Sequence, residues 1–158
     1  MSRYRRLRRP GATYFFTVNL EDRGSSVLTE RVDDLRAAFA GVLCRRPFQI
    51  DAIVILPDHL HAVWTLPEGD SDFPTRWKEI KTAFTKRTGL SGPRSASKVA
   101  KGERGLWQRR FWEHMIRGEE DYRAHLAYCW GNPVRHGLVA RAEDWPYSSI
   151  HRELRGER

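Results

Sequence analysis

The spacing of apolar and polar residues divides the chain into four short strands. A β-branched and aromatic run at 13–20 predicts the first strand, and the apolar run at 48–56 predicts a buried second strand. Pro57 and Asp58 form a tight turn into residues 59–66, so the second and third strands are predicted to form a hairpin. Residues 111–118 predict the fourth strand.

Apolar residues at helical spacing predict three helices. The first begins at Val32 and ends before Pro47, and the second carries an apolar stripe from Phe73 to Phe84. The third begins at Glu119 and ends near Asn132, because a proline at 133 disfavours helical geometry for the residue before it.

The element order strand, helix, strand, strand, helix, strand, helix predicts an α+β fold. With short, right-handed connections it forms a ferredoxin-like antiparallel sheet (βαββαβα) with the helices packed on one face. The first and third strands are then central. We expect one domain over residues 1–158, with a basic arm at 1–11, a mobile basic loop at 91–105 and a partly packed tail at 133–158.

The third predicted strand carries two histidines one residue apart. Since side chains alternate along a strand, His59 and His61 project from the same side as Val63, while Leu60 and Trp64 face the other way. Two adjacent imidazoles can bind a metal ion or a phosphate. They can also be ordinary half-exposed residues, and the motif alone does not separate these interpretations.

The net charge of the chain indicates what class of molecule it binds. The net charge is +8, which favours a polyanion, although a merely basic soluble protein has the same composition. Arginines cluster in the basic arm and beside Trp107 and Phe111, and arginine interleaved with aromatic residues suits single-stranded nucleic acid. The candidate DNA-binding residues are Arg5, Arg6, Arg8, Arg9, Arg109 and Arg110.

Other classes of protein are disfavoured. Cys44 and Cys129 lack the spacing of a structural zinc site, and two isolated cysteines are typical of a reducing cytoplasm. No apolar run approaches the length of a membrane span, and the basic N-terminal segment lacks the apolar core of a secretion signal. We therefore expect a cytoplasmic protein without a membrane partner.

The third helix carries a second set of polar residues. Tyr128 and Asn132 are one turn apart and share a face with His125 and Asp121, whereas Tyr122 belongs to the apolar stripe. Tyrosine is a possible phosphorus nucleophile, and two imidazoles with one amide oxygen are a possible ligand set for a divalent cation that neutralises phosphate.

Each of these residues also has a structural interpretation. Tyr128 alone is more typical of a half-buried interfacial tyrosine, and Asn132 of a helix C-terminal residue before proline. Their joint occurrence with the histidine pair on a basic chain favours phosphate chemistry. The roles of His114 and His125 stay open between support of a metal ligand and a core or surface position.

The sequence resembles the REP-associated tyrosine transposases, single-tyrosine transposases of the HUH endonuclease superfamily. The resemblance covers almost the whole chain in the stretches YFFTVNL, RPFQIDAIVILPDHLHAVWTLPEGDSDFPTRWKEIK, LWQRRFWEHMIRGEEDYRAHLAYCWGNPVRHGLV and DWPYSS. It implies that His59 and His61 are paired ligands for Mg²⁺ or Mn²⁺, that Asn132 is the third ligand and that Tyr128 is the nucleophile.

The resemblance also implies the reaction. Such transposases cleave single-stranded DNA at the foot of palindromic hairpins and leave a covalent 5′-phosphotyrosine. They need no nucleotide cofactor, because the phosphotyrosine linkage retains the energy of the cleaved phosphodiester bond. The implied partner is single-stranded or hairpin DNA, and the expected state is monomer or homodimer. Rival interpretations are a domesticated or non-catalytic nucleic-acid-binding protein on the same fold, and a two-histidine phosphoesterase, which would need a second separated His-x-Thr/Ser pair.

Overall fold

A computed structural model describes residues 8–157, which contain a four-stranded antiparallel sheet of order β2-β3-β1-β4. The strands are β1 (Thr13–Asn19), β2 (Gln49–Ile55), β3 (His59–Thr65) and β4 (Trp112–Met115). The helices are α1 (Val27–Glu30), α2 (Val32–Arg45), α3 (Phe73–Thr88), α4 (Ala96–Ala100), α5 (Glu119–Arg135) and α6 (Ile150–Leu154), with a 3₁₀ turn at Ala142–Asp144. The first and third strands are central, as predicted.

The larger core lies between one face of the sheet and helices α2 and α3. Phe16 and Trp64 are fully buried in it, and Trp64 stacks on Trp77 of α3 with ring centroids 4.2 Å apart. Burying a large apolar side chain contributes roughly 1.5–3 kcal/mol. The alternation of β3 therefore fixes which of its residues face this core and which face the opposite side.

The opposite face of the sheet is covered by α5. Leu126 and Cys129 of this helix pack on Phe15 and Val63 in a second, smaller core. The α+β class and the antiparallel sheet are confirmed, but the prediction that the helices pack on one face is wrong for α5. Because Phe15 and Phe16 are consecutive and both buried, the sheet has apolar residues to cover on each face.

Helix α5 continues past the predicted end at Asn132. Pro133 lies inside the helix, and the backbone N–H of His136 still donates to the Asn132 carbonyl at 3.0 Å. A proline inside a helix loses the hydrogen bond of its own nitrogen and crowds the carbonyl four residues earlier, but here the helix ends two residues later. The extra turn brings two more side chains to the same end of the sheet.

The basic segment at 91–105, predicted to be a loop, contains helix α4. The Ser95 hydroxyl caps it by accepting from the backbone N–H of Lys98 at 3.2 Å. The Lys98 ammonium forms an ion pair of 2.9 Å with Glu21, which ties this segment to the end of β1.

Part of the tail packs along β2. The backbone N–H of Ile55 donates to the Tyr147 carbonyl and that of Ser149 donates to the Ile53 carbonyl, each at 2.9 Å. The tail thus covers an otherwise open sheet edge. Within residues 8–157, no helix has the length and apolar character needed to cross a membrane.

Candidate functional site

The two histidines of β3 lie side by side on the face that α5 covers. His59 is 5% exposed and His61 is 4% exposed, and their ring centroids are 5.0 Å apart at an interplanar angle of 83°. Because β3 is a central strand with neighbours on both sides, the backbone holds this pair rigidly.

The orientation of His59 is set by a carboxylate. Its Nδ1 lies 2.7 Å from Asp58 Oδ1, and the other oxygen of Asp58 accepts from Arg23 Nε at 2.7 Å. Burial raises the pKa of Asp58, but the hydrogen bonds from Arg23 and His59 outweigh it and hold that pKa below its usual range. The carboxylate therefore binds the Nδ1 proton and leaves the Nε2 lone pair of His59 for another ligand.

The orientation of His61 is set by a hydroxyl. Its Nδ1 lies 2.8 Å from Thr17 Oγ1 on the neighbouring strand. Burial, with a smaller contribution from the charge of His59, lowers the pKa of His61 to about 3. Burial also lowers the pKa of His59, against the opposing effect of Asp58. Both imidazoles are therefore neutral at pH 7, which is the form that binds metals.

Helix α5 brings Tyr128 and Asn132 to the histidine pair. The Tyr128 ring centroid lies 5.2 Å from that of His61, nearly edge-on, and the side chain is 39% exposed. Asn132 is fully buried, and its amide nitrogen donates to the Tyr128 carbonyl at 3.2 Å. Four residues predicted from sequence are thus brought together, with the tyrosine at the surface and the asparagine behind it.

Three buried polar atoms without a hydrogen-bond partner lie on or near this pair of histidines. Among the described residues, His61 Nε2, Asn132 Oδ1 and Asn19 Oδ1 are buried and form no hydrogen bond, and Asn19 pairs with His59 across the strands. Asn132 is still close enough to His61 to oppose the lowering of its pKa. Buried polar atoms are ordinarily paired, so these unpaired atoms make this place a candidate ligand site. Imidazole nitrogen and amide oxygen fit a divalent cation.

Several residues at the site were not predicted from sequence. The Arg135 guanidinium carbon lies 5.6 Å from the Tyr128 ring centroid, and the His136 ring centroid lies 5.3 Å from that of His59. A sequence signal was present, because Arg135 ends the same helix seven residues after Tyr128, and His136 follows directly, four residues after Asn132. The predicted helix end at Asn132 concealed it.

A second cluster lies beyond Phe15 on the same face of the sheet. Asp121 lies 2.8 Å from His114 Nε2 and 3.0 Å from His125 Nδ1. One ligand atom from each of these three residues lies within 4.8 Å of the others, so the cluster is also a possible cation site. The Phe15 ring separates it from the first site, with centroids 4.8 Å from His125 and 5.7 Å from Tyr128.

The predicted DNA-binding arginines that the structure describes lie at different ends of the sheet. Arg109 and Arg110 follow Gln108, whose N–H donates to the Asn19 carbonyl at the end of β1 nearest the site. The Arg109 guanidinium also forms an exposed ion pair with Glu103 at 3.1 Å. Arg8 and Arg9 precede β1 at its other end and are exposed, and Arg5 and Arg6 lie outside the described residues.

Known proteins are similar to this chain in sequence and fold. No family model matches the chain. A REP-associated tyrosine transposase of Escherichia coli K12 is 49% identical over 154 residues, which cover 98% of this chain and 86% of that protein. A Haemophilus influenzae Rd protein, provisionally given the same name, is 43% identical over 162 residues, covering 99% of this chain and 90% of that protein.

A solved structure of a protein with the same family name is similar to this chain. The structure of a REP-associated tyrosine transposase bound to a REP hairpin superimposes with a TM-score of 0.87, at 49% identity, covering 98% of this chain and 86% of that chain. Sequence and fold together place the protein among the transposases, which are DNA-cleaving enzymes. More specifically, the chain belongs to the REP-associated tyrosine transposase family.

Proposed function

We propose that this chain is a metal-dependent endonuclease and strand transferase that acts on single-stranded DNA at palindromic, REP-like hairpins during DNA transposition. The relative seen bound to a REP hairpin supports the choice of substrate. The net charge of +8 supports a nucleic-acid partner, because arginine and lysine neutralise phosphates and release counterions.

His59, His61 and Asn132 would hold the cation, which we propose to be Mg²⁺ or Mn²⁺. The main support for this proposal is that two buried atoms able to bind a metal, His61 Nε2 and Asn132 Oδ1, have no hydrogen-bond partner. When bound, a divalent cation neutralises charge on the scissile phosphate. Asp58 and Thr17 keep the two imidazoles oriented by holding their Nδ1 atoms at 2.7 and 2.8 Å.

Tyr128 would be the nucleophile. Its exposure at the mouth of the site lets its oxygen reach the phosphorus of a bound strand, while His61 and Asn132 lie behind it. The Tyr128 oxygen forms a bond to phosphorus, the bond to the 3′ oxygen breaks, and the phenolic proton passes to solvent while the 3′ oxygen takes up a proton. Attack by another 3′-hydroxyl reverses these changes and joins the strands.

The exposed arginines would bind the flanking phosphates. Arg109 and Arg110 are suited to contact DNA near the scissile phosphate, because their segment hydrogen-bonds to the end of β1 that carries the site. Arg8 and Arg9 precede the far end of the same strand, and Arg5 and Arg6, which we propose also bind phosphate, come before them in the sequence. A seven-residue strand spans about 20 Å, so the two groups together would track several nucleotides.

A covalent-adduct assay tests this function. The protein is incubated with hairpin DNA bearing a labelled single-stranded flank, in Mn²⁺ or Mg²⁺, and is resolved on a denaturing gel. The wild type should form an adduct that a chelator prevents. Tyr128→Phe should bind the hairpin but form no adduct, and His59→Ala with His61→Ala should bind and not cut.

Tyr122→Phe is the matched control. Tyr122 lies on the same helix, but its hydroxyl donates to Asp51 at 2.9 Å and takes no part in the site, so this variant should still form the adduct. A wild type that binds the hairpin but never forms an adduct would replace the proposal with the alternative, a domesticated or non-catalytic DNA-binding protein. Normal cutting by the double-alanine variant would overturn the metal assignment.

A further inference from the structure

We infer that Trp112 binds the single-stranded part of the DNA substrate, and that one unpaired base near the scissile phosphate stacks on its indole ring. This inference rests on the proposed function, which places the scissile phosphate beside His59, His61 and Asn132. It adds a contact to a base, and so a path for the strand across the protein surface.

Strand register places Trp112 on the face of the sheet that carries the site. Trp112 of β4 pairs with Thr17 of β1, and Thr17 pairs in turn with His61 of β3. Residues that lie directly opposite each other on neighbouring strands point to the same side of a sheet. The next residue of β4, Glu113, pairs with Phe16, which belongs to the larger core on the other face. Trp112 therefore projects from the same side as the histidine pair.

The same row of residues gives the separation of Trp112 from the proposed metal ligands. Neighbouring strands lie about 4.8 Å apart, so two strand spacings put the backbone of Trp112 roughly 10 Å from that of His61. Stacked nucleotides rise about 3.4 Å each, so this distance corresponds to about three nucleotides. Thr17, which lies between the two in this row, is small and half-buried, so a strand has room to lie across it.

Trp112 is accessible to a ligand. Among the described residues, Trp112 and Tyr128 are the two exposed aromatic side chains of the Phe, Trp and Tyr types, at 60% and 39%. Single exposed apolar residues are common on proteins. Here, however, both rings lie on the side of the sheet that carries the site, and one of them is the proposed nucleophile.

An unpaired base suits this position better than a paired one. Every base has a flat π-face, so stacking on an aromatic ring binds single strands of many sequences, whereas a base inside a duplex has both faces covered by its neighbours. Arg110, two residues before Trp112, is exposed, and its guanidinium group is available to a neighbouring phosphate. The contact would therefore select the single-stranded flank rather than the hairpin stem.

The test is a double-mutant cycle between the ring and the base, measured as binding. Every protein carries Tyr128→Phe, so that the strand stays uncut, and the flank of the hairpin carries one abasic nucleotide at each position in turn. Trp112→Leu removes the flat ring, and Trp112→Phe restores one. At one flank position, removing the base should weaken binding of the parent roughly 5- to 150-fold, with a similar loss in Trp112→Phe and little loss in Trp112→Leu.

Two controls accompany the cycle. Trp112 belongs to neither core cluster, so thermal unfolding of Trp112→Leu should match that of the parent. Leu154→Ala trims a side chain that is 65% exposed but lies on α6, at the β2 edge of the sheet, where Arg152 donates to the Ile50 carbonyl at 2.9 Å. It should bind every flank as the parent does.

The outcomes separate the inference from the proposed function. An equal loss on base removal in the parent and in Trp112→Leu at every position would overturn the inference alone. So would a change of oligomeric state in Trp112→Leu with unchanged DNA binding, which would assign the ring to a contact between two copies of the chain. A parent that does not bind the hairpin strand would overturn both. Coupling at one position, with no covalent adduct formed by the wild type, would support the stacking contact and overturn the catalytic proposal.

Discussion

Replacing Asp58 by asparagine isolates the charge that orients His59. Asp58 contacts His59 Nδ1 through one oxygen and Arg23 Nε through the other, each at 2.7 Å. Asparagine has the same shape and its oxygen can still accept from Nδ1, but the negative charge is lost. Partners of this kind typically account for 10- to 100-fold in metal affinity, or about 1.4–2.8 kcal/mol.

Calorimetric titration with Mn²⁺ at pH 7.5, without DNA and with His114 replaced by alanine in every protein so that the cluster with Asp121 does not bind, measures this loss directly. Asp34→Asn is the control, because Asp34 also accepts from two arginines, Arg31 at 2.9 Å and Arg87 at 3.3 Å, but it lies on α2, beyond the opposite face of the sheet. Asp58→Asn should bind Mn²⁺ 10- to 100-fold more weakly, and Asp34→Asn should bind as the wild type does. Wild-type affinity in Asp58→Asn, or an equal loss in both variants, would refute the reasoning.

Three further outcomes are expected. Arg135→Gln should slow single-turnover cleavage at saturating protein by about two- to fivefold, since a cation over an exposed ring contributes roughly 0.5–1 kcal/mol, and an unchanged rate would exclude a role in holding Tyr128. In the presence of a chelator, the free energy of unfolding of the wild type relative to His61→Gln should fall by on the order of 2 kcal/mol between pH 6.5 and 4.5, as measured by urea titration. The reason is that His61 takes up a proton in the unfolded chain but, with its pKa of about 3, does not do so in the folded protein. A difference that does not depend on pH would contradict this pKa. Neutralising Arg109 and Arg110 should flatten the salt dependence of single-strand binding by about 1.4 log units, and an unchanged slope would place the phosphate contacts elsewhere.

The histidine pair could be predicted because a strand has a simple geometry. Alternation alone puts His59 and His61 on one side, and the Pro57-Asp58 turn identifies where the strand begins. The central position of β3 followed from the order of elements. These inferences need only local periodicity and connection rules, and the structure agrees with each of them.

The rest of the site depends on tertiary packing. The sequence does not indicate which face α5 covers, and it was the packing of Leu126 on Phe15 that placed Tyr128 beside His61. The contacts of Arg135 and His136 could not be predicted once the helix was expected to end at Asn132. Proline does not always end a helix at the preceding residue, and Pro133 lies inside the last turn of α5, so it was a weaker stop signal than its residue type suggests.

The most direct test of the central claim is to map the covalent adduct. Wild-type protein is trapped on hairpin DNA, digested with nuclease and protease, and analysed by peptide mass spectrometry. The account predicts a nucleotide attached through its 5′ phosphate to Tyr128 and absent when Tyr128 is replaced by phenylalanine. A nucleotide found on Tyr122 or Tyr147, or an adduct that persists in Tyr128→Phe, would contradict it.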